Sequence, residues 1–343
     1  MKKNILYIIF LFPIAFTANA QTISGTFATL AGVEVRLEGY HGFETYVISR
    51  SDADSNGTFK LNYTRDDIGM GYLSSGDQSI VVVLSGEDIE LRGQNFASPH
   101  TVEILSGPEN QLFEQYATEH PRREQALSAW IYLENIYRSD SLFAVHETPM
   151  QAIVQEKNRI GREDQKFLES LEPKTYVSWY LPVRKLVSSV SVIAQYRTEE
   201  IPNAIKAFRQ LDYTEDRLDK SGLLSDVIES QVWLIENSGR SLDSVYVELN
   251  ISSDLMMDNL AVHNARLNEI AEYLFDLLQK RSLFDSAKHL SINLLTNKRE
   301  HLDQRLADKL EEYRDMSVGS TAPDIEFSGI TNLPSGKKIA RLS

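Results

Sequence analysis

Asp52, Asp54 and Asn56, with Gly57 behind them, place oxygen-bearing side chains at every second position, as in the first half of an EF-hand calcium loop. That loop needs a bidentate Glu at its twelfth position, and the place is held by Tyr63. An EF-hand also needs flanking helices. Here Thr45–Arg50 and Thr58–Tyr63 read as two strands flanking a turn, within a region of period-two pattern. The same residues suit a tight turn, because Asn-Gly tolerates positive φ. A β-hairpin without calcium is the expectation.

The seven histidines are His41, His100, His120, His146, His263, His289 and His301. No two stand at helical metal-ligand spacing, and His-Glu-x-x-His is absent. His289 and His301 fall on expected helices, 12 positions apart. Surface or helix-terminal places are expected for all seven. Gly71-Tyr72-Leu73-Ser74-Ser75-Gly76 has the wrong spacing for a serine nucleophile elbow. Asp66-Asp67 and Glu311-Glu312 carry little information in a chain with 49 acidic residues, where solvated faces are the default. The chain has no cysteine, so it supplies no thiolate for exchange chemistry and no disulfide. A formal charge of −14 excludes a nucleic-acid partner that needs clustered Lys and Arg. No catalytic, cofactor-binding or metal-ligating residue is assigned, and no cofactor.

The elements that would position such groups come in two regimes and a tail, an α+β class. Residues 21–106 read as an all-β, sandwich-like domain of many short strands, with Ile80–Leu84 as a continuous apolar strand buried on both faces. Residues 107–316 turn to helical periodicity. Pro108 suits a first helical turn that Ser106 would cap. Stripes such as Leu267, Ile270, Ala271, Leu274 and Leu278 predict eight or nine helices. Breaks are placed at Pro121, Pro149, Pro173, Pro202, Ser221-Gly222 and Ser238-Gly239, with a kink at Pro182. The aromatic segment Tyr176 to Tyr196, which carries Arg184 and Lys185, offers a partner groove. Its apolar residues lie on nearly every side, so the centre of the helical core is the first reading. Trp130, Trp179 and Trp233 read as core anchors.

At the N-terminus, Lys2 and Lys3 precede an apolar run from Ile5 to Phe16, and Ala18-Asn19-Ala20 supplies small residues for a signal peptidase. This predicts a secretory signal peptide over 1–20 and an exported, periplasmic and soluble mature chain. The run is short for a membrane anchor and contains Pro13. Mass spectrometry of cell-envelope material should find Gln21, open or cyclised, as the first residue. An intact Met1 would replace the signal peptide with an anchor.

The stretch Val318-Gly319-Ser320-Thr321-Ala322-Pro323-Asp324-Ile325-Glu326-Phe327, followed by Gly336-Lys337-Lys338 and Leu342-Ser343, resembles the opening of a redoxin domain of the thioredoxin superfamily (TlpA-like and alkyl hydroperoxide reductase relatives). Ile23-Ser24-Gly25-Thr26, Val33 to Leu37, the Asp54–Phe59 turn and Ile80–Leu84 followed by Ile89–Leu91 resemble a β domain of unknown function that commonly precedes exported TlpA-like domains. Glu109-Asn110-Gln111 with Phe113 and Tyr116 resembles the linker helix after it. The resemblance implies an accessory region of a thiol–disulfide oxidoreductase, with residues 317–343 as the truncated start of a thioredoxin-like domain whose Cys-x-x-Cys is missing. The partner implied is that domain in cis, with an envelope protein as a further one. The alternatives are a stand-alone envelope interaction protein and a hydrolase with a site between the β and α domains. Ile325, Phe327 and Ile339 would lack the strands they pack against in a redoxin domain, so the tail is expected to be poorly ordered or loosely docked.

Overall fold

The computed structural model describes residues 20–315 and the backbone of two strands at 325–332 and 338–342. Residues 1–19, which carry the signal-peptide reading, lie outside the described residues. No helix among the described residues is long and apolar enough to cross a membrane.

Eight strands come first: β1 Gln21–Phe27, β2 Glu34–His41, β3 Glu44–Asp52, β4 Thr58–Tyr63, β5 Gly69–Ser75, β6 Gln78–Leu84, β7 Ile89–Gly93 and β8 Glu103–Ser106. They form two four-stranded sheets, in the orders β4-β1-β7-β8 and β3-β2-β5-β6. β1 with β4, β2 with β5, β5 with β6 and β7 with β8 pair antiparallel, whereas β1 and β7 run parallel, with Ile23 beside Ile89. Alternation puts one face of each sheet inward: Ile23, Phe27, Phe59 and Leu61 from the first meet Val35, Leu37, Leu73 and Val82 from the second in one buried cluster. Phe96 closes it edge-on against Phe27, with ring centroids 4.8 Å apart. The sequence pattern thus yields the β-sandwich it implies. One strand departs from it. Val81 is 52% exposed, because β6 is an edge strand with one face turned outward.

That edge is closed in an unusual way. Asn110 Oδ1 accepts from the Val83 N–H at 2.8 Å, and Asn110 Nδ2 donates to the Val83 carbonyl at 2.8 Å. One side-chain amide does what a neighbouring strand would do.

Eleven α-helices follow among the described residues: α1 Pro108–Ser139, α2 Glu147–Glu169, α3 Tyr176–Ser188, α4 Val190–Tyr196, α5 Ile201–Arg209, α6 Asp216–Asp219, α7 Leu224–Glu236, α8 Leu242–Asn259, α9 Asn264–Lys280, α10 Phe284–Asn297 and α11 Gln304–Asp315. The excess over the expected eight or nine comes partly from the four-residue α6 and from the division of the Tyr176–Tyr196 segment into α3 and α4. Val227, Ile228, Leu234 and Ile235 of α7 are fully buried, and α7 makes the centre of this unit. The predicted stripe of α9 is buried throughout. Pro108 opens α1 as expected, but Ser106 does not cap it: its hydroxyl donates to the Asp88 carbonyl at 3.4 Å. Pro149 and Pro202 sit in first turns, where the missing N–H costs nothing. Pro173 lies between helices, and Pro182 lies inside an unbroken α3.

Pro121 overturns its expected break. It lies inside α1, which continues to Ser139. An interior proline costs about 3 kcal/mol. Here burial on both sides of it outweighs that: Tyr116 and His120 before, Leu127 and Ile131 after. A last two-stranded antiparallel sheet pairs β9 Ile325–Asn332 with β10 Lys338–Leu342, Leu342 opposite Ile325. The tail therefore has regular backbone pairing of its own.

The chain divides into two compact units. Among the described residues, one holds 20–39 and 45–111; the other holds 40–44 and 112–315.

Candidate functional site

The Asp52–Gly57 turn is consumed by its own backbone. Asp54 Oδ1 accepts from the N–H groups of Asn56 at 2.8 Å and Thr58 at 2.9 Å. Gly57 has φ +76°, and a Cβ there would stand 1.9 Å from the Phe27 carbonyl oxygen. The tight turn forms as the Asn-Gly pair predicts, but the hairpin does not: β3 lies in one sheet and β4 in the other, so the turn carries the chain across the sandwich.

The histidines scatter. His100 lies in an exposed turn; His146 and His263 precede α2 and α9. His289 faces Asp254 at 3.0 Å, and His301, in a 3₁₀ turn rather than the expected helix, meets Asn264 Oδ1 at 3.0 Å. His41 belongs to the helical unit through residues 40–44: its Nδ1 is 2.6 Å from Asp219 Oδ2, while the Gly42 N–H donates to the Asp219 carbonyl at 3.0 Å. Phe43 stacks on Tyr273 with centroids 4.1 Å apart. No group of three or more His, Asp or Glu arranged to hold a metal occurs among the described residues.

His120 is where the expectation fails. It is buried in mid-helix rather than at a surface, with its Nδ1 2.9 Å from Asp164 Oδ1. Asp164 on α2 is 2% exposed, and groups from two other helices, α1 and α3, converge on it. From α3, Lys185 Nζ reaches Oδ2 at 2.6 Å. From α1, Arg123 Nη1 stands 3.6 Å from Oδ1, and the Tyr116 hydroxyl donates to Oδ2 at 3.5 Å. The Tyr116 ring stacks on the His120 imidazole at 4.8 Å. Burial pushes the Asp164 carboxyl up. The hydrogen bonds from His120 and Lys185 outweigh that and hold it down at about 2. Burial first, and Asp164 second, raise the Tyr116 phenol well above the ordinary range. The spacing Tyr116, His120, Arg123 is i, i+4, i+7 on one helix face. That signal was present in the sequence, but the break assigned to Pro121 cut through it.

Beside this centre, α2, α3, α4 and α5 enclose an open groove of about 800 Å³. Leu168, Val183, Leu186, Ile193 and Leu211 make its walls aliphatic, and Lys185 and Arg197 place cations along it. Lys185 thus joins the groove to the buried carboxylate. Ser189, between α3 and α4, lines the groove with a buried hydroxyl that has no hydrogen-bond partner. The aromatic residues of the Tyr176–Tyr196 segment face elsewhere. Tyr176 and Tyr180 are buried, stacked 5.8 Å apart, and Arg217 lies 5.2 Å over the half-buried Trp179. Arg184 lies 5.0 Å over Phe113. The segment serves the core with one face and the groove with the other. Trp130 and Trp233 are likewise half-buried rather than fully enclosed. Such a groove suits binding of an aliphatic segment, with polar groups fixing its orientation.

Comparison of the chain with protein-family models, with curated proteins and with solved structures gives no match.

Proposed function

We propose that this chain is the exported accessory region of a TlpA-like thiol–disulfide oxidoreductase, a non-catalytic binding and scaffolding module that positions a thioredoxin-like domain attached in cis. The order of parts carries the reading: a β-sandwich, then a helical unit, then a strand pair beginning at Ile325, just after Ala322-Pro323-Asp324 in the sequence, in a chain with no cysteine. Exchange requires a thiolate, so the redox step belongs to the attached domain. The groove on α2–α5 is the surface this module offers to a polypeptide partner. A stand-alone envelope interaction protein would use the same groove without the redox partner.

Two measurements test this. The purified chain alone should give no turnover in insulin reduction. A separately expressed TlpA-like thioredoxin domain should bind it in titration calorimetry, and Leu186→Glu, which puts a charge on the aliphatic wall, should weaken binding about tenfold or more. Turnover by the chain alone would end the non-catalytic reading. Failure of the thioredoxin domain to bind would leave the envelope interaction protein as the better description.

A further inference from the structure

We infer that β3 is a pairing edge through which two copies of this chain associate, antiparallel about a two-fold axis at Val47. An open strand edge templates another strand, and natural sheets blunt their edges. Three of the four outer strands here are managed. β6 is engaged by Asn110, β8 has four residues, and β4 carries an outward Lys60. β3 has nine residues, ends the sheet order, and contains neither Lys nor Pro. Its side chains from Glu44 to Val47 are exposed, Val47 at 40%.

The register follows from the turn. Gly42-Phe43 is a two-residue connection with φ +59° at Gly42, so the residues flanking it, His41 and Glu44, form the hydrogen-bonded pair beside the loop. Antiparallel ladders alternate, so the even positions of β3 spend their backbone groups on β2. The N–H and C=O of Thr45, Val47 and Ser49 then point to the open edge. Gly39 supports this phase: the side-chain atoms nearest to where its Cβ would stand are those of Tyr46 and Ile48, so the even positions of β3 lie on the same face as Gly39.

A second copy laid antiparallel with Val47 opposite Val47 uses those same odd positions for hydrogen bonds. It sets Thr45 opposite Ser49 and Tyr46 opposite Ile48, hydroxyl with hydroxyl and aromatic with β-branched, both favourable cross-strand pairs. It also sets Glu44 opposite Arg50 at both ends, in the non-hydrogen-bonded positions where side chains approach most closely. Glu44 and Arg50 are both exposed, and neither takes part in an ion pair among the described residues. The strand is thus complementary to itself in charge, in hydrogen-bonding phase and in side-chain type, which is what an isologous dimer contact requires.

Sedimentation equilibrium of the full chain over a concentration series should show a monomer–dimer equilibrium. Glu44→Arg places two like-charged pairs across the axis and should raise the dimer dissociation constant about tenfold or more. Adding Arg50→Glu restores opposite charges and should return the constant to within about threefold of the original. Val47→Pro removes an outward N–H and should leave a monomer with an unchanged far-ultraviolet circular dichroism spectrum. The charge-swapped pair carries the test even where that proline disturbs folding. A chain that stays monomeric to about 1 mM, or a dimer that ignores Glu44→Arg or is not rescued by the swap, overturns the inference.

Discussion

Asp164→Ala should cost about 3–5 kcal/mol of unfolding free energy, the range for breaking a buried ion pair by removing one partner. The reason lies in what stays behind. Lys185 loses a carboxylate 2.6 Å away, Arg123 loses its nearest counter-charge in this centre, and His120 loses the acceptor for Nδ1. His120 is enclosed, while Lys185 and Arg123 keep only part of their side chains at the surface, Lys185 along the groove. Chemical denaturation followed by circular dichroism measures the loss. Adding Lys185→Met removes the stranded ammonium, so the double variant should lose less than the sum of the two single ones. A loss below about 1 kcal/mol for Asp164→Ala would mean that water solvates the centre already.

The same carboxyl sets a pH dependence. It is held at about 2 in the folded chain against an ordinary 3.8, so the folded state binds this proton less readily than the unfolded one. Its stabilisation is therefore complete above pH 3.8 and is lost as the pH falls towards 2, amounting to about 2 kcal/mol. Asp164→Asn should flatten the stability profile in that window.

How much of this was legible in the sequence differs by unit. The sandwich announces itself locally. Period-two alternation and the Asn56-Gly57 turn are decided by side chains next to each other, and the buried positions of β4 fall where the alternation puts them. The helical stripes of α9 and α10 are equally local. The Asp164 centre is not local: its members come from positions 116 to 185 on three helices, and nothing in the pattern of α2 marks Asp164 among its acidic neighbours. Only the α1 part was readable, and it required accepting a helix through Pro121. The sequence rule for proline is a free-energy cost, which tertiary packing overrides when enough apolar surface is buried on both sides. The groove was half legible. The Tyr176–Tyr196 segment was the right place, but its aromatic residues pointed to the wrong face.

The edge closure by Asn110 gives the last large effect, because a single side chain satisfies two buried backbone groups. Asn110 is 2% exposed and Val83 is fully buried, so Asn110→Ala strands an N–H and a C=O away from water. At roughly 1–3 kcal/mol for each buried unpaired group, the loss should be about 3 kcal/mol. It should come with concentration-dependent aggregation, since β6 becomes an open edge. Asn110→Asp separates the hydrogen-bonding account from simple packing, because the volume hardly changes. An ionised carboxylate still accepts from the Val83 N–H, but it faces the Val83 carbonyl with a second acceptor and has no proton to donate. The repulsion and the burial both favour the neutral acid in the folded state, so the introduced carboxyl's folded pKa lies above its unfolded value. Stability should then rise as the pH falls through that raised pKa, because the protonated acid has one donor and one acceptor and reproduces the amide. Near neutrality this variant should be almost as unstable as Asn110→Ala, and at pH about 4 it should recover at least half of the loss. A variant that is equally stable at both pH values would show that Asn110 acts by filling space, and that the backbone of β6 finds its partners elsewhere.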